Sequence, residues 1–178
     1  MKKVLILVAI VALTGICIYA LSYYLPLQSF SFAFSLNFML MAGILLFTDT
    51  LAHPLQSPYF NEQRWERHGD VYTSFGINGY RKLLRWTGWE KLNKKSKPVN
   101  KTIPSLNYLY YRTKQDELGH LLIFFVVLGF TLFVAFVHGI QAAVWLFSLN
   151  IVLNLYPIML QRYNRPRLAR VIRFANRR

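Results

Sequence analysis

The residues best equipped for chemistry stand in one run, Thr113-Lys114-Gln115-Asp116-Glu117-Leu118-Gly119-His120. On a helix, Tyr110, Thr113, Glu117, His120 and Phe124 share a face by the i, i+3, i+4, i+7 rule. Glu117 and His120 then stand within hydrogen-bonding reach, so the carboxylate can fix the imidazole tautomer and stabilise its charged form. A general base that takes a proton from a hydroxyl uses such a pair. The same residues also suit a helix end whose polar side chains reach back to a membrane interface. Glu-x-x-His is a di-iron ligand pattern as well, but that site takes the motif twice with two further carboxylates. It occurs once in this chain, and no metal is expected.

A second cluster lies near the C-terminus: Asn150, Asn154 and Pro157, then Gln161-Arg162-Tyr163-Asn164-Arg165-Pro166-Arg167-Leu168. Asn150, Asn154 and Gln161 form a polar stripe on one helical face. In lipid such a stripe turns to a neighbouring helix or a cavity, and polar glue between helices explains it equally well. Pro166 is expected to break the helix at Asn164–Arg165, leaving polar groups beside closely spaced arginines. The planar fork of arginine suits phosphate and carboxylate. Attraction to anionic headgroups accounts for the arginines from 170 onward.

These residues need elements to position them, and the composition says which solvent those elements meet. Hydrophobic residues make up 54% of the 178 and charged residues 16%, with a net charge of +14. Soluble domains carry about 25% charged residues. A disordered basic tail and a soluble nucleic-acid-binding domain are thereby disfavoured, and no nucleic acid is expected as a partner. The single Cys17 forms no intrachain disulfide. Four stretches, 4–25, 30–47, 118–137 and 142–160, contain no Lys, Arg, Asp or Glu. Each is near the length a spanning helix requires, roughly 20 residues. The first is too long an apolar run for a signal peptide and no clear cleavage site follows it.

Charge placement orients the spans. Two lysines precede the first, 12 Lys and Arg lie between the second and third, and seven arginines follow the fourth. By the positive-inside rule all belong on the cytoplasmic side. The expectation is an all-α, four-span protein of the cytoplasmic membrane in one domain over 1–178. It comprises two hairpins, with both termini and the segment 53–112 cytoplasmic. Pairing spans three and four as a hairpin brings His120 level with residues 159–161.

The central segment carries helix signals of its own. Ser57-Pro58 reads as an N-cap with Pro at the first position and Gly69 as the stop, predicting a helix between them. Residues 80–92 mix Arg81, Lys82, Arg85 and Lys91 with Leu83, Leu84, Trp86 and Trp89, as an interfacial helix does. Residues 93–104 read as a loop, and 166–178 as a basic interfacial helix.

The run Pro157-Ile158-Met159-Leu160-Gln161-Arg162-Tyr163-Asn164-Arg165-Pro166-Arg167-Leu168 resembles the C-terminal signature of the glycosyl-4,4'-diaponeurosporenoate acyltransferase family. Thr113 to His120 matches that family's Thr-Lys-x-x-Glu-Leu-x-His segment, and Tyr59-Phe60 and Glu66-Arg67-His68-Gly69 fit its central region in the same order. The resemblance spans about residues 59–173; the first hairpin shows none, and 70–106 agrees loosely. It implies a membrane acyltransferase of staphyloxanthin-type carotenoid synthesis that esterifies a sugar hydroxyl on a glycosylated carotenoid or other glycolipid-like acceptor. No cofactor would be bound, and acyl-coenzyme A or acyl-carrier protein would be the donor. His120 is the expected general base and Glu117 its orienting partner. Arg162, Arg165 and Arg167 are expected to hold donor phosphates or the oxyanion, with Gln161, Asn164 and Thr113 as hydrogen-bonding neighbours. The alternative is a non-enzymatic membrane protein that binds anionic lipid or a partner through its basic face.

Overall fold

The computed structural model describes residues 1–89 and 102–177. Regular structure among them is helical, with no strand. Four helices are long and apolar enough to cross a membrane: Lys2–Tyr24, Phe30–Leu51, Ile103–His138 and Ile140–Ala175. The chain divides into two compact units, Met1–Pro54 with Leu118–Pro157, and Leu55–Glu117 with Ile158–Arg178.

In the first unit, α1 (Lys2–Tyr24) is apolar around its whole circumference and buries no residue. A helix of that kind has lipid as its solvent. The N-terminus of α2 (Phe30–Leu51) is capped by Ser29, whose hydroxyl accepts from the Phe32 N–H at 3.1 Å. Helical spacing then turns Phe32, Ala33, Leu36 and Leu40 of α2 inward. They meet Ile123, Val127 and Val134 of α5 (Ile103–His138), together with Ala143 and Leu146. Gly43 of α2 lies so close to the Thr14 side chain that a Cβ there has no room. Small residues permit such an approach between membrane helices. The outer faces display Leu5, Val8, Phe125, Phe133 and Phe136, a surface lipid solvates and water does not.

After α5 the chain turns at Gly139, whose φ of 90° favours glycine. A 3₁₀ turn over Ile140–Ala143 leads into α6 (Val144–Asn150), a π-helical turn over Ile151–Leu155 and α7 (Tyr156–Ala175). Pro157 supplies a reason for the wide turn. It has no N–H to return to the Leu153 carbonyl, and the turn just before it closes with the Tyr156 N–H reaching back to Ile151 O.

The second unit corrects two expectations. The segment after Ser57 is not one helix. Ser57 accepts from the Tyr59 N–H, but the turn it caps ends at Phe60, and a second 3₁₀ turn covers Arg64–Gly69. Arg67, His68 and Gly69 all have left-handed backbone, with φ of 46°, 57° and 88°. The Gln63 N–H donates to the Glu66 carboxylate at 2.6 Å where the second turn opens, and the His68 N–H donates to Glu62 at 2.9 Å where the left-handed residues end it. Nor does Pro166 break α7, so the C-terminal arginines continue that helix instead of forming a separate one. Arg162, Tyr163 and Arg165 on the N-terminal side and Arg167 beyond are all held by side-chain contacts, and these outweigh the one missing backbone bond.

Two short helices, α3 (Val71–Ser74) and α4 (Ile77–Trp86), follow in this unit. The amphipathic helix predicted over 80–92 is therefore seen from Ile77 to Trp86, and its last residues, with Lys91, lie outside the described residues. So does most of the loop predicted over 93–104. The helix carrying Thr113 starts at Ile103, well before the apolar stretch at 118–137.

Candidate functional site

Two polar clusters occupy the interiors of the two units. In the second unit three buried charges and the partly buried Arg162 lie together. Glu117 is fully buried, Glu66 is 3% exposed and Arg165 is 5% exposed. Burying a charge is costly unless it is paired and hydrogen-bonded, and here every charge is. Arg162 donates from Nε to Glu117 Oε1 at 2.7 Å, from Nη1 to Glu66 Oε1 at 2.9 Å and from Nη2 to the Tyr59 carbonyl at 3.0 Å. Arg165 donates from Nη2 to Glu117 Oε2 and to the Thr113 carbonyl, from Nε to Thr113 Oγ1 at 3.1 Å and from Nη1 to the Phe60 carbonyl at 3.1 Å. Two arginines three residues apart on α7 thus grip two glutamates and the 58–60 turn.

Glu66 accepts from three sides, since Tyr72 Oη also donates to Oε1 at 2.5 Å and the Gln63 N–H to Oε2. Burial pushes the Glu66 carboxyl up, but these donors together with Arg162 outweigh it and hold it below the usual carboxylate range. Burial pushes the Tyr72 phenol well above its ordinary value, and the adjacent Glu66 carboxylate adds to the shift. Both effects keep the pair as carboxylate and neutral phenol at physiological pH. Beside the cluster is a cavity of about 150 Å³, lined by Phe60, Glu62, Arg162, Arg165, Pro166 and Arg173 among others. Further along α7, Tyr163 lies between two guanidinium groups, Arg81 of α4 at 5.5 Å and Arg167 at 3.6 Å from its ring. Arg167 also bonds Asp70 at 3.0 Å.

The first unit holds a network of three side-chain amides and His120. His120 Nδ1 faces Asn154 Oδ1 at 3.3 Å. Asn154 Nδ2 donates to Asn37 Oδ1 at 2.6 Å and to Asn150 Oδ1 at 2.9 Å. Asn37 donates in turn to the Ala33 carbonyl at 2.8 Å, and Asn150 to the Phe124 carbonyl at 3.0 Å. All three asparagines are at most 3% exposed.

The sequence-predicted residues are therefore divided. Thr113, Glu117, Arg162 and Arg165 come together in one ion cluster, and Arg167 binds Asp70 and stacks on Tyr163. Gln161 and Asn164 are half-buried on α7. Glu117, expected to orient the imidazole, engages one arginine with each carboxylate oxygen, while His120 Nδ1 faces Asn154. Glu66 and Asn37 were not among the predicted site residues. A signal for Glu66 was present: arginines in an apolar chain with only seven acidic residues require a carboxylate partner, and Glu66 lies in a matching motif. Asn37 sits in an otherwise apolar span, where an amide needs a partner.

Comparison with known proteins gives one finding. The profile of the glycosyl-4,4'-diaponeurosporenoate acyltransferase family matches residues 56–174, a stretch that contains the whole ion cluster, His120 and Asn154. None of the curated proteins and none of the solved structures matches the chain. The match extends over more than half of the sequence, and the chain belongs to the glycosyl-4,4'-diaponeurosporenoate acyltransferase family.

Proposed function

We propose that this chain, in the cytoplasmic membrane, transfers a fatty acyl group from a thioester donor to a hydroxyl of a glycosylated carotenoid or another glycolipid-like acceptor. Acyl-coenzyme A or acyl-carrier protein is the donor, and no bound cofactor takes part. The observation that carries this reading is the family match over residues 56–174.

His120 is the general base. Its imidazole takes the proton of the acceptor hydroxyl as the oxygen bonds to the thioester carbonyl carbon. The carbon–sulfur bond then breaks, and the imidazolium returns the proton to the departing thiolate. Arg162 and Arg165 give their N–H groups to the chain's own acceptors, so they hold the 58–69 turns in place and lend positive potential to the cavity. Arg173, which is exposed and lines that cavity, is the guanidinium available to a donor phosphate. Thr113, Gln161, Asn164 and Arg167 are the further candidates for contact with the donor.

The test is acyl transfer by the purified protein in detergent, with both donors and a glycosylated carotenoid. General-base assistance contributes about 10²–10⁴-fold, and His120→Ala should lose that much while eluting as a folded protein. Full turnover by a well-folded His120→Ala variant overturns the assignment of the base. Absence of transfer from either donor to any glycosylated acceptor overturns the function.

A further inference from the structure

The amide network in the first unit can be read in one direction only. A backbone carbonyl accepts and never donates. Asn37 must therefore turn its NH₂ to the Ala33 carbonyl, and Asn150 its NH₂ to the Phe124 carbonyl. Both then present oxygens to Asn154, whose NH₂ has two hydrogens and satisfies both. The only orientation left for Asn154 points its oxygen at His120 Nδ1. Amide flips are ordinarily assigned from such networks, and this one is anchored on carbonyls at both ends. An oxygen facing Nδ1 requires a proton there, which leaves the Nε2 lone pair as the basic one.

We infer that Asn154 is a positioning residue, held by Asn37 and Asn150, that locks His120 in the Nδ1–H tautomer so that Nε2 accepts the proton of the acceptor hydroxyl. The inference rests on the proposed function for its catalytic half alone. The π-helical turn over Ile151–Leu155 contains Asn154. Such turns are often found at functional sites, and this one joins α6 to α7 where the amide meets α5.

Histidine labelled with ¹⁵N in the full chain in detergent micelles tests the first half, with two-bond proton–nitrogen correlations recorded from pH 6 to 9. The His120 signals are those missing from His120→Gln. The neutral ring should carry its proton on Nδ1, the minor tautomer of free histidine in water, and Thr131→Val in the same helix should leave that pattern unchanged. A neutral wild-type ring protonated on Nε2 overturns the inference without recourse to any variant. Asn154→Leu should return the ring to Nε2–H and lower kcat about 10²-fold, with KM changed less than about twofold, because a wrong tautomer disables the base and not the binding. A tautomer unchanged in a folded Asn154→Leu also overturns it. If the tautomer switches in a protein that transfers no acyl group even as wild type, the lock stands and the proposed function fails.

Discussion

Two arginines and two glutamates share the interior of the second unit, and their energetics separate architecture from binding. Arg165 spends all three nitrogens on Glu117, Thr113 and the Phe60 carbonyl. A lysine keeps the charge but reaches only part of that set. An unsatisfied buried acceptor costs about 1–3 kcal/mol, so Arg165→Lys should lower unfolding stability in detergent by about that much, whereas exposed Arg173→Lys should leave it unchanged. Equal stabilities of the two variants would show that the buried cluster does not hold the unit together. Glu66 adds a pH dependence with a definite sign. Its carboxyl is held below the usual range, about 4.3, so the stability it contributes is present above that value and disappears as pH falls through the depressed one. Thermal melts between pH 3 and 6 should show a steeper acid loss for the wild type than for Glu66→Gln, which starts lower and loses less. Gly69 has φ of 88°, and a Cβ there would approach both the Tyr163 carbonyl and Arg167 Nη1 to 3.0 Å. Gly69→Ala therefore meets left-handed strain and a backbone contact together, and should destabilise by about 1–3 kcal/mol, measured by the same melts.

Among the elements, α1 and α2 meet through Thr14 and Gly43, with no room for a Cβ at the glycine. Gly43→Ala should destabilise by about 1–3 kcal/mol through overpacking. Thr14→Ala removes the two nearest atoms, so the glycine substitution should cost much less in that background. A double-mutant cycle on thermal stability measures this coupling, and additive losses would place the clash elsewhere. The C-terminal helix shows the opposite balance. Pro166 lies inside α7, yet the helix continues to Ala175, because side chains on either side of the proline are held by contacts within the unit. Proline ends a helix when nothing else fixes the next turn, and here something does.

For the whole molecule, the asymmetry of charge predicts the orientation. All 21 lysines and arginines fall outside the four apolar stretches, and on one side of a two-hairpin arrangement. Cysteines introduced at Thr87 and Arg177, in a Cys17→Ser background, should resist an impermeant thiol reagent in intact cells and react after lysis. Labelling of either before lysis would overturn the arrangement with both termini inside.

The four apolar helices were legible in the sequence because lipid leaves a chain few options. Backbone polar groups must be satisfied within the segment, so length and the absence of charge identify a span. The association of Thr113 and Glu117 with one helix face followed from periodicity alone. What periodicity does not carry is the partner of each polar group. Periodicity set Glu117 and His120 on one face, but Glu117 accepts from two arginines more than forty residues away, and His120 Nδ1 faces an amide 34 residues away. The 58–69 segment had a sound N-cap signal, which the structure keeps, yet the segment forms two tight turns that end in left-handed backbone at Arg67, His68 and Gly69. Local rules determined the four helices long and apolar enough to cross a membrane. Only the tertiary structure decided where the buried charges are neutralised and which side chain faces Nδ1 of His120. Those outcomes depend on hydrogen bonds between residues distant in sequence, whose geometry exists only after the helices have packed.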